Sequence, residues 1–170
     1  MRHLYRTLIR DDQNFWNLIF GILFAVLLFF MTLELGWWHR WRFVPPQVSI
    51  GDFMLIALAV FRLIRLFSYD KITQFARDIF MDIEYGQDGT VIVRRKASRG
   101  FRRTVIELLD CPWCTGVWLT LFVAFFYLYT PLFHFPVIVL AIAGVATLLQ
   151  LTANAIGWTA EQKKIEVSKH

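Results

Sequence analysis

The sequence predicts an all-α membrane protein with four transmembrane helices and both chain ends on the cytoplasmic side. An amphipathic cytoplasmic loop, with room for a small β-hairpin, joins the middle helices. Three observations carry that prediction. Apolar residues gather into four long runs, as a bilayer solvent requires. Lys and Arg fall almost wholly on alternate connections, which sets orientation. The composition is 57% hydrophobic and 18% charged, where soluble domains average about 45–50% and about 25%. Seven Trp and 17 Phe suit aromatic belts at two interfaces. All 170 residues read as a single integral membrane domain.

The first span is expected over 15–33, with Asp11, Asp12 and Asn14 supplying capping oxygens ahead of it. A basic amino end before an apolar run can mimic a signal peptide. This run exceeds an h-region, and Met31-Thr32-Leu33-Glu34-Leu35 has no small-residue cleavage site, so it is expected to stay as an anchor. The second span, 50–67, is interrupted by Arg62 and Arg65 and capped by Asp52. The third covers 113–129 and the fourth 136–158. At a rise of about 1.5 Å per residue, each crosses or nearly crosses a core of about 30 Å.

Orientation follows from the basic residues. Arg2, Arg6 and Arg10 precede the first span, and Arg40 and Arg42 follow it. The loop at 69–110 holds eight Lys and Arg, the third connection none, and the tail Lys163, Lys164 and Lys169. Fourteen therefore lie on one side and two on the other, and the fourteen belong in the cytoplasm. On the far side, Trp37-Trp38-His39-Arg40-Trp41-Arg42-Phe43 reads as an interfacial aromatic belt. The link Thr130-Pro131-Leu132-Phe133-His134-Phe135-Pro136 reads as a tight hairpin that makes spans three and four antiparallel neighbours.

Within the loop, Ile72, Phe75, Ile79, Phe80 and Ile83 recur at helical spacing and predict an amphipathic helix on the bilayer surface. Gly86-Gln87-Asp88-Gly89 followed by Thr90-Val91-Ile92-Val93 fits a hairpin. Phe101, Val105, Leu108 and Leu109 predict a second amphipathic helix that leads into the third span. Arg94, Arg95, Lys96, Arg99, Arg102 and Arg103 form a basic patch. Anionic lipid headgroups are its natural partner, and plain topogenic charge is the alternative. The net charge of +5 comes with no nucleic-acid-binding motif, so nucleic acid is not expected as a partner.

The candidate functional residues lie toward the cytoplasmic end. Arg62 and Arg65, three apart on one helix face, call for snorkelling or for an ion pair with Asp70, Glu107 or Asp110. Asp110-Cys111-Pro112-Trp113-Cys114-Thr115-Gly116 opens the third span, with Asp110 expected as N-cap and Pro112 in the first turn. Cys111 and Cys114 share one face of that turn, where the helix dipole lowers a thiol pKa. Structural, metal-binding, redox and acylated cysteines all remain open. No resident cofactor is predicted, because two cysteines supply half of a zinc site, although two subunits sharing one metal would complete it. Thr147, Gln150 and Asn154 lie on one face of the fourth span and suit bonding between helices.

Two blocks carry a family resemblance. One is Phe61-Arg62-Leu63-Ile64-Arg65-Leu66 with Asp70 after it. The other is Glu107-Leu108-Leu109-Asp110-Cys111-Pro112-Trp113-Cys114-Thr115-Gly116-Val117-Trp118. They resemble the bacterial membrane protein family known as domain of unknown function thirteen-sixty, which includes a sporulation-associated Bacillus protein. The likeness covers roughly 53–129 and leaves the first span and the tail outside it. It implies a bacterial or phage membrane protein of unassigned function, expected here as a multi-pass protein of the bacterial cytoplasmic membrane, and it brings no catalytic residues with it.

The leading functional expectation is a non-enzymatic scaffold or subunit of a membrane assembly, with other membrane proteins or a second copy as partner. A thiol- or metal-dependent function at the cytoplasmic surface is the alternative. Small-solute transport by an oligomer is the weaker one.

Overall fold

The computed structural model describes residues 2–38, 48–86 and 88–167, with side chains in the first helix described over 12–37. The chain is mostly helical. Helix α1 (Arg2–Trp38) is followed by α2 (Ile50–Ser68) and a 3-10 turn (Lys71–Thr73) that runs into the short α3 (Gln74–Asp78). Strands β1 (Met81–Tyr85) and β2 (Val91–Lys96) form an antiparallel hairpin. Then come α4 (Phe101–Asp110), α5 (Pro112–Tyr129), a 3-10 turn (Pro131–Phe133) and α6 (His134–Val167).

Among the described residues, three segments are long and apolar enough to cross a membrane: Asp12–Trp37, Pro112–Tyr129 and Pro131–Val167. Helix α2 has the length but carries Asp52, Arg62 and Arg65. Its amino end is closed by a capping box. Ser49 Oγ accepts from the Asp52 backbone N–H at 3.1 Å, and Asp52 Oδ2 accepts from the Ser49 N–H at 3.1 Å.

Helix α2 is the centre of the bundle, packed along both α5 and α6. The expected neighbours α5 and α6 do join through a tight turn, yet α2 fills most of the seam between them. Small residues permit this. Ala59 of α2 and Ala141 of α6 are buried together with Tyr127 and Val137. At Gly144 a Cβ would stand 2.5 Å from the Leu58 carbonyl oxygen, so only glycine lets the α6 backbone come this close to α2.

Two expectations for local structure are overturned. Helix α1 starts at Arg2, so Asp11, Asp12 and Asn14 lie inside it and do not cap a span. Asp12 instead ties α1 to the loop, its Oδ2 accepting from the Gly100 N–H at 3.0 Å just ahead of α4. The amphipathic helix expected to run through Ile83 ends at Asp78. From Met81 onward, Met81, Ile83 and Tyr85 alternate with Asp82 and Glu84. That period of two pairs with β2 through Asp82 opposite Arg95 and Ile83 opposite Arg94. The second expected loop helix is present as α4. The aromatic belt on the first connection lies mostly outside the described residues.

Helix α1 is fastened to the rest by aromatic rings. Trp16 and Phe20 meet Phe101 of α4 at 5.8 and 5.7 Å, and Phe24 meets Trp118 of α5 at 5.1 Å.

Candidate functional site at the loop end of the bundle

The polar residues at the carboxyl end of α2 are largely engaged with one another. Arg62 Nη1 donates to Asp70 Oδ2 at 2.7 Å, and the two side chains are 24% and 28% exposed. Of the three partners the sequence offered, Asp70 is the one used. Arg65 has no carboxylate partner among the described residues, and its guanidinium rests 4.9 Å from the centre of the Tyr69 ring. The last carbonyls of α2 are closed from the loop. Arg77 donates to the Phe67 and Asp70 carbonyl oxygens at 2.7 and 3.0 Å, and the Thr73 hydroxyl donates to Leu66 and Asp70. Sequence reasoning missed Arg77 and Thr73, because capping across ten residues leaves no periodic signal.

Glu107 and Asp110 belong to other pairs. Arg103 Nε bonds Glu107 Oε1 at 2.8 Å, one turn away on α4. Gln13 of α1 also donates to Glu107 at 3.3 Å and to the buried Thr104 hydroxyl at 2.8 Å. Lys96 at the end of β2 holds Asp110 at 2.7 Å. The Gln13 and Lys96 contacts tie separate segments together, whereas the Arg103 pair lies within α4.

The basic patch is largely neutralised. Arg94 pairs with Asp78 at 3.1 Å, Arg95 with Glu84 at 3.5 Å and Arg102 with Asp82 at 3.2 Å. Together with Lys96 and Arg103, five of the six expected lipid-binding side chains face a carboxylate. Arg99 forms no ion pair among the described residues. Residues 69–110 contain seven Asp and Glu against eight Lys and Arg, which leaves little free charge.

The cysteine turn is a helix cap. Cys111, not Asp110, is the N-cap of α5, with extended backbone (φ −99°, ψ 100°) and Pro112 following in the first turn. Its Sγ accepts the Cys114 backbone N–H at 3.3 Å. The Cys111 thiol pKa is lowered, first by the bond from the Cys114 thiol and then by that N–H. Both cysteines are free; Cys111 is half-buried and Cys114 exposed. Among the described residues no group of three or more His, Cys, Asp and Glu is placed to hold a metal ion. Cys114 also lines a groove of about 430 Å³ between α1, α4 and α5, with Asn17, Thr104 and Glu107.

Gln150 and Asn154 do not join this cluster. They bond each other at 3.0 Å on an exposed face of α6, while Thr147 bonds the Ala143 carbonyl in its own helix at 2.8 Å. The opposite end of the bundle holds polar contacts that the sequence did not announce. The Tyr127 hydroxyl donates to Asp52 Oδ1 at 2.6 Å, and a His134 ring nitrogen lies 3.0 Å from the Tyr127 carbonyl oxygen.

The residues that make this arrangement also place the chain among known proteins. A family model described as "Protein of unknown function (DUF1360)" matches residues 55–153. The chain belongs to this family. The match takes in α2 beyond its cap, the whole loop, α5 and most of α6. It extends past the expected 53–129 and leaves out α1. UPF0713 protein YngL of Bacillus subtilis (strain 168) is 35% identical over 114 residues, 65% of this chain and 84% of the relative. Sporulation protein YjcA of the same organism is 36% identical over 103 residues, 57% of this chain and 86% of the relative. No solved structure matches the chain significantly.

Proposed function

We propose that the chain is a four-span protein of the bacterial cytoplasmic membrane with both ends inside. In this reading it acts as a non-enzymatic scaffold or subunit of a membrane assembly, and the loop end of the bundle is its cytoplasmic face. The observation that carries this reading is how the polar groups there are used. Arg62, Asp70, Arg77, Lys96, Glu107 and Asp110 fasten segments of the chain to one another, and Glu107 also lines the groove between α1, α4 and α5. Such contacts hold a surface in shape for a partner.

Two further points support α2 as the fourth span. It packs along α5 and α6, both apolar enough to cross. Its charges sit toward its ends and are engaged: Asp52 by Ser49 and Tyr127, Arg62 by Asp70, Arg65 by the Tyr69 ring. Ionised side chains inside a bilayer are retained when matched in this way. The relative named a sporulation protein suggests a sporulation setting for the assembly.

The test is Arg62→Leu in the full chain. The substitution leaves Asp70 without its cation, at a cost of about 1–3 kcal/mol, and the thermal midpoint in detergent should fall by several degrees. An unchanged midpoint would remove the fastening argument. Cross-linking in native membranes should capture a stoichiometric membrane protein, and a chain recovered alone would count against a scaffold.

A further inference from the structure

The cysteine turn has a geometry that helix capping alone does not require. Serine, threonine or aspartate caps a helix better than a thiol, yet here one sulfur caps and a second lies one turn on. Cys111 Sγ is folded back over the first turn, within 3.3 Å of the Cys114 nitrogen. A disulfide needs Cβ atoms about 3.5–4.5 Å apart, closer than the roughly 5–6 Å of helix positions three apart. Cys111 stands outside the helical backbone, so its φ and ψ can move to close that gap without unwinding α5. The neighbouring carboxylate of Asp110 is held by Lys96 and opposes a thiolate less than a free carboxylate would. Trp113, between the two cysteines, is 87% exposed and leaves an apolar surface beside the sulfurs.

We propose that Cys111 and Cys114 form a dithiol–disulfide couple that exchanges with an external disulfide, with Cys111 as the attacking sulfur and Cys114 as the resolving one. The Cys111 thiolate attacks one sulfur of the disulfide R–S–S–R. A mixed disulfide forms and RS⁻ leaves, taking up a proton. Cys114 then loses its proton and attacks the Cys111 sulfur, closing the Cys111–Cys114 bond and expelling the second RS⁻. Two electrons and two protons pass from the pair to the substrate, which departs as two thiols. On the cytoplasmic face thiols are kept reduced, so the couple rests as the dithiol and acts as a reductant. The direction rests on the proposed orientation, and the chemistry does not.

The experiment uses the full chain in detergent, equilibrated with oxidised glutathione, acid-quenched, alkylated and weighed by mass spectrometry. Wild type should lose two hydrogens and both alkylation sites. Cys114→Ser should stop at a glutathione adduct on Cys111. Cys111→Ser retains a capping side chain and so keeps the fold, and its adduct at Cys114 should form about tenfold more slowly. The proposal is overturned if wild type keeps two alkylatable thiols, if Cys114→Ser forms no adduct, or if the two single variants react at equal rates. None of these readouts depends on the Arg62 pair or the side of the membrane, so the scaffold reading and the couple fail separately.

Discussion

Tyr127 is a buried phenol in the last turns of α5, and its hydroxyl finds the Asp52 carboxylate seventy-five residues away. Replacing it by Phe removes that donor while keeping the ring's packing against Ala59 and Val137. The expected loss is about 1–2 kcal/mol, read as a lower thermal midpoint in detergent. Asp52→Asn should cost at least as much, because an amide has one accepting oxygen where the carboxylate serves both Tyr127 and the Ser49 cap. The cysteine turn gives a second outcome at this scale. The Cys114 thiol is the leading cause of the lowered Cys111 pKa, so more of Cys111 is thiolate at neutral pH than in an ordinary cysteine. Cys114→Ala removes that donor and should slow alkylation of Cys111 at pH 7, and an unchanged rate would show that the thiol has no such effect. The CxxC turn and the Arg62 pair were legible in the sequence because spacing and charge mark them. Tyr127 carried no such mark, since its partner is set by how two helices align.

Among the elements, α2 and α6 are held at close range by one position. Gly144→Ala places a methyl against the Leu58 backbone, which cannot rotate away as a side chain end would. Separating the helices should cost about 1–3 kcal/mol, with Gly144→Leu worse. Gly116→Ala is the control: there the neighbour is the tip of Ile64, which can shift. Similar midpoints for the alanine variants at 116 and 144 would remove backbone contact as the reason. The hairpin illustrates a different failure of sequence reading. Phe75, Ile79, Phe80 and Ile83 satisfy a helical period, while Met81, Ile83 and Tyr85 satisfy a strand period. Cross-strand pairing with the basic β2 sequence decides in favour of the strand.

Across the whole molecule, α2 and α6 run parallel, because Asp52 meets the end of α5 and α6 starts from the turn just beyond it. Leu58 is level with Gly144, so Ser68 is level with about Asn154. The rest of α6, exposed from Thr152 to Val167, extends about 20 Å past the end of α2. Under the proposed four-span arrangement with both ends inside, that projection enters the cytoplasm. Reporters fused before Arg2 and after His170 should both be active on the inside, and opposite locations would refute the four-span arrangement.

Apolar run length and the two motif blocks were enough to establish three membrane-length helices and the family. These are local properties, set by transfer of each segment from water and by contiguous residues. Tertiary structure alone decided that α2 separates α5 from α6, that Asp12 binds the chain at Gly100, and that five of the six cations in the basic patch are matched by carboxylates. Those outcomes depend on which distant groups meet after the helices pack, and no spacing along one segment encodes such a meeting.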